Sequence, residues 1–121
     1  MFQADLDPSE RLLTIRYFGH VHAAEIDLCM ARVRALTVHV EAGFCVLTDL
    51  SGLDEMDPEC AARIGAIMSY LRERHLGKVV RVVPDPRKDI GFTLLSRFHY
   101  DGSVPMATFE TLEEAMAFLA G

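Results

Sequence analysis

Side chains able to do chemistry crowd one stretch of this chain. Between residues 49 and 60 stand Asp49, Ser51, Asp54, Glu55, Asp57, Pro58, Glu59 and Cys60. Clustered carboxylates suit a hard cation such as Mg²⁺. No phosphate-cradling glycine loop accompanies Asp49, Asp57 and Glu59, however, and no metal is expected there. Cys60 becomes a nucleophile only with an imidazole base at hand and little negative charge nearby. His20 and His22 are the histidines nearest the start of the first helix, but the acids beside Cys60 oppose a thiolate, so a packed, inert thiol is expected. His20-Val21-His22 alternates like a strand edge, and no further Cys or His follows at ligand spacing, so zinc is not expected either. Gly-x-Gly-x-x-Gly, Walker, His-Glu-x-x-His and Gly-x-Ser-x-Gly elements are all missing from the sequence. The chain therefore nominates no catalytic residue and no cofactor, and it reads as a binding module rather than an enzyme.

The elements that position this stretch follow from periodicity and punctuation. Phe44–Asp49 is apolar enough for a central strand, and Asp49 closes it at the C-terminal end, where open α/β sheets place ligand crevices. The plain alternative for Asp49 is a turn carboxylate that accepts local backbone N–H groups. Asp57 occupies the position of an N-cap, Pro58 the first helical position and Glu59 the first turn. Negative charge suits such a helix start. The helix then runs to about His75, with Ala61, Ile64, Ile67, Met68 and Leu71 on one stripe and Gly77 just past its end.

Upstream, Met1–Ala4 and Leu12–Phe18 read as a hairpin turned by Asp7-Pro8-Ser9, with Gly19 breaking the second strand. A helical period covers His22 to about Val40. Downstream, Val79–Val83 is β-branched apart from Arg81 and should lie beside Phe44–Asp49 at the centre of the sheet. Asp85-Pro86 opens a third helix to about His99. Val104–Phe109 is a last strand whose Pro105 suggests an edge, and Thr111-Leu112-Glu113-Glu114 is a capping box for a final helix. The order β-β-α-β-α-β-α-β-α argues for an α/β single domain over residues 1–121, with a mostly parallel central sheet covered by helices.

The bulk numbers agree. The chain has 121 residues, half of them apolar, and a net charge of −6, which suits one core. Residues 1–60 hold eleven acids against four arginines, whereas residues 61–121 are nearly balanced. An acidic chain repels phosphate backbones, so nucleic acid is not an expected partner. The apolar runs fall short of a membrane span, and the start lacks the basic and apolar segments of a signal peptide. A cytoplasmic protein is the expectation. Cys29, Cys45 and Cys60 have no C-x-x-C spacing; Cys29 and Cys45 read as buried small hydrophobes.

The order of residue types from Val46 to Ala61 resembles the STAS domain of anti-sigma factor antagonists. In that family an apolar strand ends in Asp-Leu-Ser-Gly and leads through a short loop to Asp-Ser-Ser-Gly opening a helix. Asp49, Leu50, Ser51, Gly52, Leu53, Met56 and Asp57 fit, whereas Pro58 and Glu59 stand where the two serines would be. The resemblance implies a STAS-like (SpoIIAA-like) fold and a bacterial regulatory protein. It also implies a protein partner, an anti-sigma factor or kinase-like regulator, met through Asp49, Ser51, Asp57, Pro58 and Glu59. The family's second serine is phosphorylated to switch binding off. Glu59 carries one fixed charge there, only a partial mimic of phosphoserine, so this switch is not expected to operate. The plain reading of Glu59 is a residue that favours the helix dipole.

The expected third helix carries Ile90, Gly91, Leu94, Leu95 and Phe98 on one stripe, which suffices to cover a sheet. Phe92 and His99 widen that face and Tyr100 follows, giving more apolar arc than a surface helix needs. Phe92, Leu95, His99 and Tyr100 therefore mark either a homodimer or apolar-ligand surface, or simple packing within the monomer. A small-molecule or lipid-binding domain of the related CRAL-TRIO-like type is the alternative reading, with its cavity between the sheet and this helix.

Overall fold

The computed structural model describes residues 1–85, 95, 99, 100 and 102–121. Its elements are β1 (Phe2–Asp7), β2 (Leu12–Val21), α1 (Ala23–Leu36), β3 (Cys45–Met56), α2 (Cys60–Glu73), β4 (Lys78–Val82), β5 (Met106–Phe109) and α3 (Leu112–Ala120). One five-stranded sheet runs in the order β1-β2-β3-β4-β5. β1 and β2 form the antiparallel hairpin, and every other neighbouring pair is parallel. The two most apolar strands, β3 and β4, are adjacent and interior as expected. β5 is an edge, with Pro105 just ahead of it accepting the Val79 N–H.

β3 as far as Asp49 and β4 are buried on both faces, which is why they read as nearly unbroken apolar runs. On one face Leu13, Ile15, Val46, Leu50 and Val79 join Ile26, Cys29 and Val33 of α1 and Ile64, Ile67, Met68 and Leu71 of α2 in the main core. On the other, Leu47, Val80 and Val82 pack with Ala115 of the short helix α3. That helix begins on the expected cap, with the Glu114 N–H donating to Thr111 Oγ1 at 3.1 Å. The C-terminus of α1 is tied to α2 by polar contacts. The fully buried Thr37 hydroxyl lies 2.7 Å from the Tyr70 hydroxyl, and Arg74 Nη2 donates to the Thr37 carbonyl at 2.6 Å.

Several boundaries differ from the sequence reading, each for a physical reason. Gly19 does not end the first long strand; it takes φ +68° and β2 continues to Val21. β3 does not close at Asp49 but continues to Met56. Arg16 pairs with Asp49, Phe18 with Gly52, Gly19 with Leu53, His20 with Glu55 and Val21 with Met56. β3 thus carries one extra residue at each of two places, the mark of β-bulges. A Cβ on Gly52 would sit 3.0 Å from Phe18 Cβ, so glycine permits the close approach at the first bulge. β4 stays paired only as far as Asp49 with Val82. Beyond that rung, β2 and β3 run on together.

Asp57 does not cap α2. The helix starts at Cys60, Glu59 occupies the N-cap position, and no side chain caps it. A turn leads in, with the Cys60 N–H donating to the Asp57 carbonyl and the Ala61 N–H to that of Pro58. At the other end, His75 rather than glycine takes the left-handed conformation, at φ +61°. Gly77 serves another purpose, since a Cβ there would lie 2.7 Å from the Gly43 carbonyl oxygen. α1 stops at Leu36, short of Val40. The third helix expected from Asp85 lies largely outside the described residues, as does Phe92.

Candidate functional site

Asp49 is 5% exposed and braces the first bulge. The extra residue of a bulge loses its ladder partner. Asp49 Oδ1 accepts the Ser51 N–H at 2.9 Å and the Ser51 hydroxyl at 2.6 Å, while Oδ2 faces Arg16 Nε at 3.5 Å. The Asp-Leu-Ser-Gly run thereby has a local meaning. The aspartate supplies the acceptor, the serine closes the loop of hydrogen bonds, and the glycine lets Phe18 approach. The carboxylate is the local N–H acceptor that the plain reading describes, although it sits within a strand.

Past the bulges, β2 and β3 deliver a group that sequence reasoning did not bring together. Val21 and Met56 are paired and buried, and the Asp57 N–H donates to the Val21 carbonyl at 3.0 Å. His20 and His22, flanking Val21, meet Asp57 outside the core. His20 Nε2 lies 2.6 Å from Asp57 Oδ1 and His22 Nδ1 lies 2.9 Å from Asp57 Oδ2, with the ring centroids 4.2 Å apart. The bond from His20, then that from His22, holds the Asp57 carboxyl below the usual carboxylate range. The same bond raises His20 above the usual imidazole range. Glu55 Oε2 stands 3.9 Å from His20 Nδ1. Glu25, at the start of α1, accepts the His22 N–H at 3.0 Å and lies 3.0 Å from the Met1 amino group. The signal that could have revealed the trio is the two-residue spacing of the histidines, which places both on one side of an extended segment, combined with parallel pairing of β2 to β3.

Ser51, Pro58 and Glu59 are exposed, and Asp57 is partly so. Ser51 stands at the first bulge and Asp57, Pro58 and Glu59 in the turn into α2, the two ends of one ridge along β3. A hollow of about 310 Å³ beside this ridge is lined by Met56, Asp57, Pro58, Ala61, Ile64 and Leu95. Cys60 lies fully buried beneath it, and burial first, then the Asp57 charge, pushes its thiol up. It is packed, as expected.

The other candidate surface turns inward where it is described. Leu95 is half-buried against the main core, and Tyr100 is buried in it, with its hydroxyl pushed up by burial. His99 is half-buried; its Nδ1 sits 2.8 Å from Ser69 Oγ. Its ring occupies the space that a side chain on Gly65 of α2 would take.

Among the described residues, a hairpin feeding a parallel sheet, two helices on one face and a short helix on the other make an α/β layer structure. No protein-family model matches the chain, and no curated protein matches it. Solved structures do. A DUF3478-family protein with a SpoIIAA-like fold from Shewanella loihica PV-4 superposes with a TM-score of 0.72 at 12% identity, over 98% of this chain and 93% of that one. The unphosphorylated anti-sigma factor antagonist SpoIIAA gives 0.64 at 19% identity, over 100% and 99%. An anti-sigma factor antagonist from Mycobacterium paratuberculosis gives 0.61 at 15% identity, over 100% and 96%. The chain has the SpoIIAA-like, STAS-like fold. Among the described residues, no helix is long and apolar enough to cross a membrane.

Proposed function

We propose that this protein is a non-enzymatic regulatory module that binds a protein partner through the ridge formed by Ser51, Asp57, Pro58 and Glu59. The observation that carries the reading is the contrast within one motif. Asp49 is buried as the brace, while Ser51, Pro58 and Glu59 project from the ridge it holds, beside a hollow able to receive a partner's side chain. Anti-sigma factor antagonists among the structural neighbours support a partner of the anti-sigma factor or kinase-like class. Cys60, the thiol beside the ridge, is buried and pushed up, which argues against a cysteine nucleophile there.

In this reading the surface is constitutive. A phosphoserine adds a charge of roughly −1.5 to −2 when a kinase acts. Glu59 instead presents one permanent carboxylate at the N-cap position of α2, where the helix dipole favours it. The cavity of the ligand-binding alternative would lie against residues 86–98, of which only Leu95 is described, and no specific observation favours it. Calorimetric titration of wild type and Glu59→Ser against the partner captured from native lysate tests the proposal.

A further inference from the structure

His20, His22 and Asp57 come from two strands and present three metal-ligating groups at one point. We propose that they form a binding site for a divalent transition-metal cation of the zinc class. The parallel register creates the site: Val21 and Met56 turn into the core as one rung, so the residues flanking Val21 and the residue after Met56 meet on the outside. One ligand atom from each of the three residues lies within 4.8 Å of the others. Metal–nitrogen and metal–oxygen bonds of about 2.0–2.2 Å draw such a set together by small side-chain rotations.

The donor set selects the cation. Two imidazole nitrogens and one carboxylate suit zinc and its neighbours, whereas Mg²⁺ and Ca²⁺ require oxygen ligands. Three protein ligands leave a coordination position open. The proton balance also closes. Any imidazole proton shared with Asp57 leaves that nitrogen, to the other nitrogen of its own ring or to solvent, as the cation takes its place. His20 Nδ1 then faces Glu55 Oε2, 3.9 Å away, an outer carboxylate of the kind that orients metal-bound histidines. Both rings are exposed, so a cation reaches them without opening the core. Glu25 and Glu55 add negative charge close by; the Met1 amino group, paired with Glu25, is the opposing charge.

The test is calorimetric titration of ZnCl₂ into the full chain at about pH 7.5, with MgCl₂ as the control. One saturable zinc site and no magnesium binding are expected. His22→Ala and Asp57→Asn should each weaken zinc by roughly ten-fold or more. Thermal unfolding without metal checks that both variants fold, and His20→Gln replaces either one that does not. In ¹⁵N NMR of the wild type, the His20 Nε2 and His22 Nδ1 resonances should move on zinc addition. Absence of saturable binding below about 100 μM would overturn the proposal. So would zinc binding that the variants leave unchanged, which would place the metal elsewhere on the chain.

Discussion

Asp49 Oδ1 accepts hydrogen bonds from both the Ser51 N–H and the Ser51 hydroxyl and its Oδ2 faces Arg16, so its removal should be felt in the fold itself. Asp49 is nearly buried, but the Ser51 donors are exposed and can turn to water, so the loss is about 0.5–1.5 kcal/mol. Asp49→Ala should therefore lower the unfolding free energy by about that amount in urea denaturation, and Asp49→Asn, which keeps an oxygen at Oδ1, by less. A second consequence at this scale concerns Cys29, whose thiol burial pushes up to about 11 from the usual 9. The folded state holds the neutral thiol. Its contribution is complete below pH 9 and is lost as the pH rises from 9 to about 11, because the unfolded chain releases the proton first. Cys60, also raised, adds a loss of the same sign. Wild-type stability should fall across that window by about 1–3 kcal/mol, and Cys29→Ala should fall less steeply between pH 9 and 10, before tyrosines ionise. Urea midpoints measured at stepped pH check this.

At the scale of elements, the packing of His99 on α2 makes Gly65 a sharp probe. A Cβ there would lie 2.3 Å from His99 Nε2, so Gly65→Ala must displace the ring and its contact with Ser69. Overpacking of this kind costs about 1–3 kcal/mol, despite the gain in helix propensity. A fall in melting temperature checks it; an unchanged value would mean that the ring gives way freely. The sequence made β3, β4, α3 and their neighbourhood legible because apolar runs and a capping box are local signals. It hid the bulged half of β3, since Ser51-Gly52-Leu53-Asp54-Glu55 has the composition of a loop while only Leu53 turns inward. The same extension hid the histidine–aspartate trio. Asp57 looked like a cap because Pro58 follows it, and only pairing with β2 reveals that its carboxylate belongs to His20 and His22. Parallel register between distant strands is a non-local property, set by which residues reach the core.

At the scale of the whole molecule, one sheet edge is a hairpin and the other a short strand, while both faces of the centre are covered. What projects from this frame is the β2–β3 extension with the turn into α2, where the exposed Ser51, Pro58 and Glu59 gather. The hairpin, the central pair β3 and β4 and the edge position of β5 were legible in the sequence, and the family motif pointed to this corner of the fold. The division of labour within the motif was not legible, because burial separates Asp49 from Ser51 only once the bulge has formed. The central claim is that this ridge is a protein-binding surface on which Glu59 presents a carboxylate where a phosphorylatable serine would stand. Calorimetric titration of the partner captured from native lysate into wild type and Glu59→Ser tests it most directly. The account predicts that the substitution changes affinity at least several-fold while the melting temperature hardly moves. Indistinguishable affinities would contradict it and leave Glu59 as a residue that favours the dipole of α2.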